Sequence, residues 1–165
     1  KAGEETSIFL KMNSLTDRQL IDALKEASQA GVKIKMIIRG ICCILPGIEG
    51  KTDNIEVISV VGRFLEHSRI FCFGTGENMK MYIASADWMT RNTENRVEIA
   101  APIYDQKIKN SIYDTLRIMW KDNLKARILC SDGTYKKPEI KEGDELIDCQ
   151  NYLRHEYKVG RKIKL

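Results

Sequence analysis

The chain predicts an α/β fold, a mixed β-sheet with flanking helices. Three observations carry this prediction. Residues 7–38 read as strand, capped helix, strand. Between residues 55 and 101, short apolar runs follow one another with only brief turns between them. A further helical stripe begins at Asp105, after the last of those runs.

Taken in order, Ser7–Met12 is the first expected strand. Thr16 with Gln19 three residues on has the form of a capping box, and Leu15 and Leu20 occupy the hydrophobic-staple positions. Leu20, Leu24 and Ala27 repeat at helical spacing, and Gly31 stands where a left-handed residue closes a helix. A second strand is expected at Lys33–Ile38, parallel to the first, because a helical crossover joins them. Pro46–Asn54, with its Pro, Gly, Asp and Asn residues, reads as a loop. Strands are then expected at Ile55–Val61, Ser68–Phe73, Met79–Ser85 and Arg96–Ala101, with Gly74-Thr75-Gly76 turning between two of them. Asp105 caps a helix whose stripe is Ile108, Ile112, Leu116 and Met119, and Leu124–Cys130 reads as another strand. Residues 131–144 are polar and read as irregular. A last helix is expected from Leu146 to Tyr157, with Leu153 on its stripe and a frayed basic tail beyond.

A length of 165 residues suits a single domain, 1–165, with a core of its own. The chain is 43% hydrophobic and 30% charged, ordinary for a globular protein. No apolar run approaches the ~20 residues that span a bilayer, so no transmembrane segment is expected, and no signal-peptide pattern is present. The sequence starts at Lys1 without an initiator methionine, as expected of a fragment or a processed piece. A net charge of +4 leans toward a polyanionic partner. The cysteines at 42, 43, 72, 130 and 149 form no C-x-x-C pair, which argues against zinc; they read as reduced, buried thiols of a cytoplasmic protein.

The residues suited to chemistry gather around strand ends. Arg39 lies just past the second strand, before Gly40, where a guanidinium can present its planar fork to phosphate oxygens or simply form a surface ion pair. His67 and Arg69 are two apart at the mouth of a strand and therefore share a face, while Glu66 points away from both. An imidazole beside a guanidinium suits a phosphate: one moves a proton, the other holds charge. Ser85, Asp87 and Asn92 follow a strand directly, and Asp87 or Asn92 can orient an imidazole through a hydrogen bond. Arg96 and Glu98 share a face of the next expected strand and suit an ion pair. His155, between Arg154 and Glu156, reads as a solvated surface residue. From the residues alone, the reading reaches phosphate chemistry at a strand-end site.

Four blocks carry a resemblance along nearly the whole chain: Lys11–Asp17, Ile38–Cys42, Phe64–Ile70 and Ser85–Asn92. In this order and spacing they resemble the last domain of the phosphohistidine-type polyphosphate kinases. That family is built with two phospholipase D-like domains that each supply one histidine to a shared site. The resemblance implies reversible transfer of the terminal phosphate of ATP to inorganic polyphosphate, through a phosphohistidine in a preceding domain that this chain does not contain. It implies that His67 is the second, catalytic histidine and contacts nucleotide phosphates. Arg39 falls on an ATP-contacting arginine and Arg96 on one lining the same channel; Arg69 is expected with them and His67 among the phosphate-binding residues, and Ser85, Asp87, Asn92 and Glu98 as supporting residues. Mg2+ is implied for the complete enzyme, but no metal ligand falls on this chain. The implied partners are ATP and ADP, inorganic polyphosphate and the remaining domains of the same enzyme, which would be a homo-oligomer. Nucleic acid is not expected. The implied location is the cytoplasm, with peripheral membrane association compatible, and the fragment alone is expected to be inactive. Against the wider superfamily pattern, Arg69 replaces a lysine and Gly74 an aspartate, while Ala84-Ser85-Ala86-Asp87 resembles the turn. The alternatives are a phospholipase D-like phosphodiesterase or nuclease half-site working as a dimer, and a non-catalytic polyanion-binding domain.

Overall fold

A computed structural model describes Gly3 and residues 5–159. Strand β1 (Ser7–Met12) leads through helix α1 (Arg18–Gln29) to β2 (Lys33–Ile38), and the two strands pair in parallel, Ser7 opposite Lys33 and Met12 opposite Ile38. The turn between α1 and β2 follows from Gly31 at φ +90°. There its amide donates to Ser28 O and the Val32 amide to Ala27 O, the reciprocal pair that closes a helix through a left-handed residue. Strand β3 (Ile55–Val60) extends the parallel set. The chain continues through β4 (Arg69–Phe73), β5 (Lys80–Ala84), the short helix α2 (Thr90–Glu94), β6 (Ala100–Ile103), α3 (Gln106–Trp120), β7 (Ala126–Leu129), β8 (Tyr135–Lys136) and α4 (Cys149–Lys158).

Within the described residues the strands form one eight-stranded mixed sheet, β6-β5-β4-β1-β2-β3-β7-β8, in which β4 to β8 pair antiparallel with their neighbours. Side-chain alternation splits the core in two. Leu10, Met12, Met36, Ile38 and Val57 pack with Ile21 and Leu24 of α1. Phe9, Ile37, Ile58, Ile70 and Cys72 pack with Leu116 and Met119 of α3, and Tyr152 and Leu153 of α4 lie against that cluster. Phe9 meets the edges of Tyr113 and Trp120 at centroid distances of 5.9 and 5.6 Å.

Three of the expected boundaries move for a local reason. The cap of α1 is Asp17, whose carboxylate accepts from Leu20 N at 3.0 Å; Thr16 is not the cap, because its amide and that of Asp17 both donate to Trp88 O. The strand expected at Arg96–Ala101 forms instead at Ala100–Ile103, since the Ser85 hydroxyl takes Ile99 N and pairing with β5 begins at Ala84 opposite Ala100. Helix α4 starts at Cys149, after Asp148 caps it by accepting from Asn151 N, while Ile147 is held by Asn123. The polar stretch 131–144 contains the short strand β8. Of the five thiols, Cys72 and Cys149 are buried, Cys42 and Cys130 are half-buried and Cys43 is exposed. The tail at 160–165 lies outside the described residues. Among the described residues, no helix is long and apolar enough to cross a membrane.

Candidate active site

Pairing registers bring the chemistry-bearing segments to one edge of the sheet. The carboxyl ends of β1, β2, β3 and β5 and the amino ends of β4, β6 and β7 all lie there, because Met12 is opposite Ile38, Lys11 opposite Ile70, Arg69 opposite Ala84 and Ala84 opposite Ala100. Arg39, His67, Arg69, Ser85, Asp87, Arg96 and Glu98 therefore stand in or beside this edge, where ligands collect in α/β sheets.

At its centre is a relay of three side chains. Arg69, the first residue of β4, forks onto Asp87: Nε donates to Oδ1 at 3.2 Å and Nη2 to Oδ2 at 2.9 Å. Its remaining Nη1 lies 2.9 Å from His67 Nδ1 and donates to the His67 carbonyl at 3.0 Å. Guanidinium has no acceptor, so Nδ1 receives this hydrogen bond and the neutral ring carries its proton on Nε2. Asp87 is thus not in contact with the imidazole; it orients Arg69, which orients the ring. The Asp87 carboxylate also accepts from Asn13 N at 2.7 Å and Asn13 Nδ2 at 3.2 Å. Burial acts to raise the Asp87 carboxyl, but the hydrogen bonds from Arg69 and Asn13 outweigh it and hold the group below its ordinary value. His67 itself is exposed.

A second cluster stands on the neighbouring loop. Glu98 accepts from the Ser85 hydroxyl, from Asn92 Nδ2 at 2.6 Å, and pairs with Arg96 Nε at 3.4 Å. Hydrogen bonds from Ser85 and then Asn92 hold its carboxyl below its ordinary value, with Arg96 and Arg69 adding to the effect. Arg96 pairs with Glu98 as expected, but from a loop; its side chain is 60% exposed, which leaves its outer edge open to solvent.

Sequence reasoning did not single out Lys11. Its side chain is 2% exposed; Nζ donates to Ser68 O at 3.1 Å and lies 3.5 Å from Glu66 Oε2. Burial pushes the Lys11 ammonium down, Glu66 opposes this, and the charges of Arg39 and Arg69 push further down. Arg39 thus stands at this end of the sheet, half-buried, and among the described residues its guanidinium has no hydrogen-bond or ion-pair partner. The available signal was a lone charge inside the otherwise apolar β1. Gln150 was also missed; it meets Phe64 and Glu66 from α4, and nothing near it in the sequence marks that contact.

Among the described residues, no cluster of three His, Cys, Asp or Glu side chains is placed to hold a metal ion. The nearby carboxylates are already engaged: Asp87 by Arg69 and Asn13, Glu98 by Ser85, Asn92 and Arg96, Glu66 by Lys11 and Gln150. These residues do not fit a Mg2+ site.

Residues 1–150 match the family described as polyphosphate kinase C-terminal domain 2. The polyphosphate kinase of Bacillus anthracis is 52% identical over 143 residues, covering 87% of this chain and 20% of that protein. The crystal structure of polyphosphate kinase from Porphyromonas gingivalis superposes with a TM-score of 0.90 at 38% identity, over 96% of this chain and 24% of that one. Nuc from Salmonella typhimurium, a phospholipase D family member, shares the fold, with a TM-score of 0.55 at 16% identity over 82% of this chain and 85% of that one. The chain spans about a fifth of the length of the polyphosphate kinases it matches. The eight-stranded sheet and four helices of its described residues are thus a phospholipase D-like α/β fold, and the chain belongs to the polyphosphate kinase C-terminal domain 2 family.

Proposed function

We propose that this chain supplies one half of the reaction centre of an ATP:polyphosphate phosphotransferase. In the transfer, the bond between the terminal phosphorus of ATP and its bridging oxygen breaks as a nitrogen–phosphorus bond forms on a histidine outside this chain, and ADP leaves with the electron pair. The terminal oxygen of polyphosphate then attacks that phosphorus and frees the histidine. The reverse sequence makes ATP. Here His67 donates from Nε2 to a phosphate oxygen and stabilises the charge that develops there, while Arg39 and the open edge of Arg96 bind phosphate. Arg69 and Asp87 hold the ring; Ser85, Asn92 and Glu98 support Arg96. Mg2+, implied by the family, supplies charge neutralisation when bound to the complete enzyme, and no step is assigned to it on these residues.

One observation carries the reading within the family: a guanidinium, not a carboxylate, faces His67 Nδ1. A carboxylate there would keep the proton on Nδ1 and leave Nε2 free to attack phosphorus, as a phosphodiesterase half-site requires. A guanidinium does the reverse and suits His67 to donation. The test is phosphate transfer from ATP to polyphosphate by the full-length enzyme and by this chain alone. His67→Ala and Arg39→Ala in the full-length enzyme are expected to abolish transfer with the fold intact, and the isolated chain is expected to show none. ATP-dependent polymer synthesis by the isolated chain, or hydrolysis of a phosphodiester without ATP, overturns the proposal. Salt-sensitive polyanion binding with full activity after His67→Ala supports the non-catalytic alternative.

A further inference from the structure

The segment that carries His67 has little structure of its own. Residues 61–68 lie between β3 and β4, and none of the backbone–backbone hydrogen bonds outside helices and strands involves them. Their backbone partners are side chains. Arg69 takes the His67 carbonyl and Lys11 the Ser68 carbonyl. Glu66 also pairs with Lys11, and the remaining backbone hydrogen bonds come from Gln150 in α4. Phe64 N donates to Gln150 Oε1 at 2.9 Å, Gln150 Nε2 donates to Phe64 O at 2.8 Å, and Nε2 also donates to Glu66 Oε1 at 2.7 Å. The amide thus grips Phe64 at both its donor and its acceptor, as a neighbouring strand would, and Gln150 is only 7% exposed.

Two further features fit this contact. A Cβ on Gly62 would stand 2.5 Å from Gln150 Oε1 and 2.8 Å from its Cδ, so the amide occupies space that only glycine leaves open. The start of α4 is fixed in turn by the buried Asp122, whose Oδ2 accepts from Cys149 N at 2.8 Å while Oδ1 accepts from Leu124, Lys125 and Ala126 amides.

From this geometry we infer that Gln150 is a positioning residue for His67, holding the loop of residues 61–68 against the sheet edge through Phe64 and Glu66. The inference rests on the reading of His67 as a group that touches phosphate. Gln150 touches no reacting atom and acts through the loop. A displacement of about 1 Å at a reacting group costs up to ~100-fold in rate, so its loss is read in turnover.

The experiment uses the full-length enzyme with Gln150→Met, which keeps the volume and removes all three hydrogen bonds, together with Gln150→Ala, Gly62→Ala, the Gly62→Ala/Gln150→Ala double variant and His67→Ala. The expected result is a kcat reduced at least about tenfold in Gln150→Met, with the melting temperature nearly unchanged and with faster hydrogen exchange at the Phe64 amide. Gly62→Ala is expected to reproduce the loss, and the double variant to be no worse than Gln150→Ala, because the clash disappears with the amide. If His67→Ala abolishes turnover while folded Gln150→Met keeps kcat within twofold, the positioning role is overturned and the reading of His67 stands. If His67→Ala leaves turnover intact, that reading fails and the inference falls with it.

Discussion

Replacing Asp87 with alanine leaves the guanidinium of Arg69, whose side chain is 12% exposed, without its carboxylate. The lost contacts are the two-pronged Arg69 interaction at 3.2 and 2.9 Å, the two Asn13 hydrogen bonds at 2.7 and 3.2 Å and a longer one from Ser14 N at 3.4 Å. Breaking a buried ion pair from one side costs about 3–5 kcal/mol, because the surviving charge stays in a poorly solvated place. For a chain of this size each kcal/mol moves the melting temperature by roughly 2–4 °C, so Asp87→Ala is expected to melt about 6–20 °C lower. Removing the stranded charge as well, in Arg69→Met/Asp87→Ala, is expected to recover about 2 kcal/mol relative to the sum of the single variants. The sign with pH follows from the depressed Asp87 carboxyl: its contribution is present above the unfolded value near the ordinary carboxylate range and is lost as pH falls through the lower folded value. Urea or thermal unfolding of the four-variant cycle at pH 7 and in acid reads all of this. A loss under about 1 kcal/mol for Asp87→Ala, or additive single variants, would refute the claim that this pair holds the site in place.

Further outcomes follow from the same geometry. Asp122→Ala, which strands four backbone amides, is expected to destabilise the chain by about 3 kcal/mol in urea unfolding, more than removal of any exposed carboxylate. Arg69→Lys in the full-length enzyme keeps the charge but cannot bond Asp87 and His67 together; steady-state kinetics are expected to show kcat falling by about tenfold or more. Thiol titration of the native chain at pH 8 is expected to modify Cys43 first and to leave Cys72, pushed up to about 12 by burial, and Cys149, pushed up further by burial and Asp122, unreacted until unfolding.

Local periodicity made the β1–α1–β2 unit and the α3 stripe legible, because apolar spacing and Gly31 encode them within a few residues. The facing of His67 and Arg69 was legible for the same reason, as residues two apart on an extended chain. Helix α2 was not: it has no apolar stripe, and besides the local bond of Asn92 to Glu98 it is held by Thr93 on Asp17, a contact that closes across the chain. The displacement of β6 has the same origin. Asp87 reads from sequence as an orienter of the imidazole, but only the fold shows Arg69 standing between them. Lys11, Glu66 and Gln150 meet across 55 to 139 positions of sequence, and no local pattern announces such a cluster.

Arg69 fixes His67 as a donor from Nε2, on the geometry of its Nη1 at 2.9 Å from Nδ1. Nitrogen-15 NMR of the imidazole, at a pH where the ring is neutral, reads the tautomer directly. The account predicts a protonated Nε2 and an unprotonated, hydrogen-bonded Nδ1, lost on Arg69→Met. A proton found on Nδ1 in the unaltered chain would contradict it.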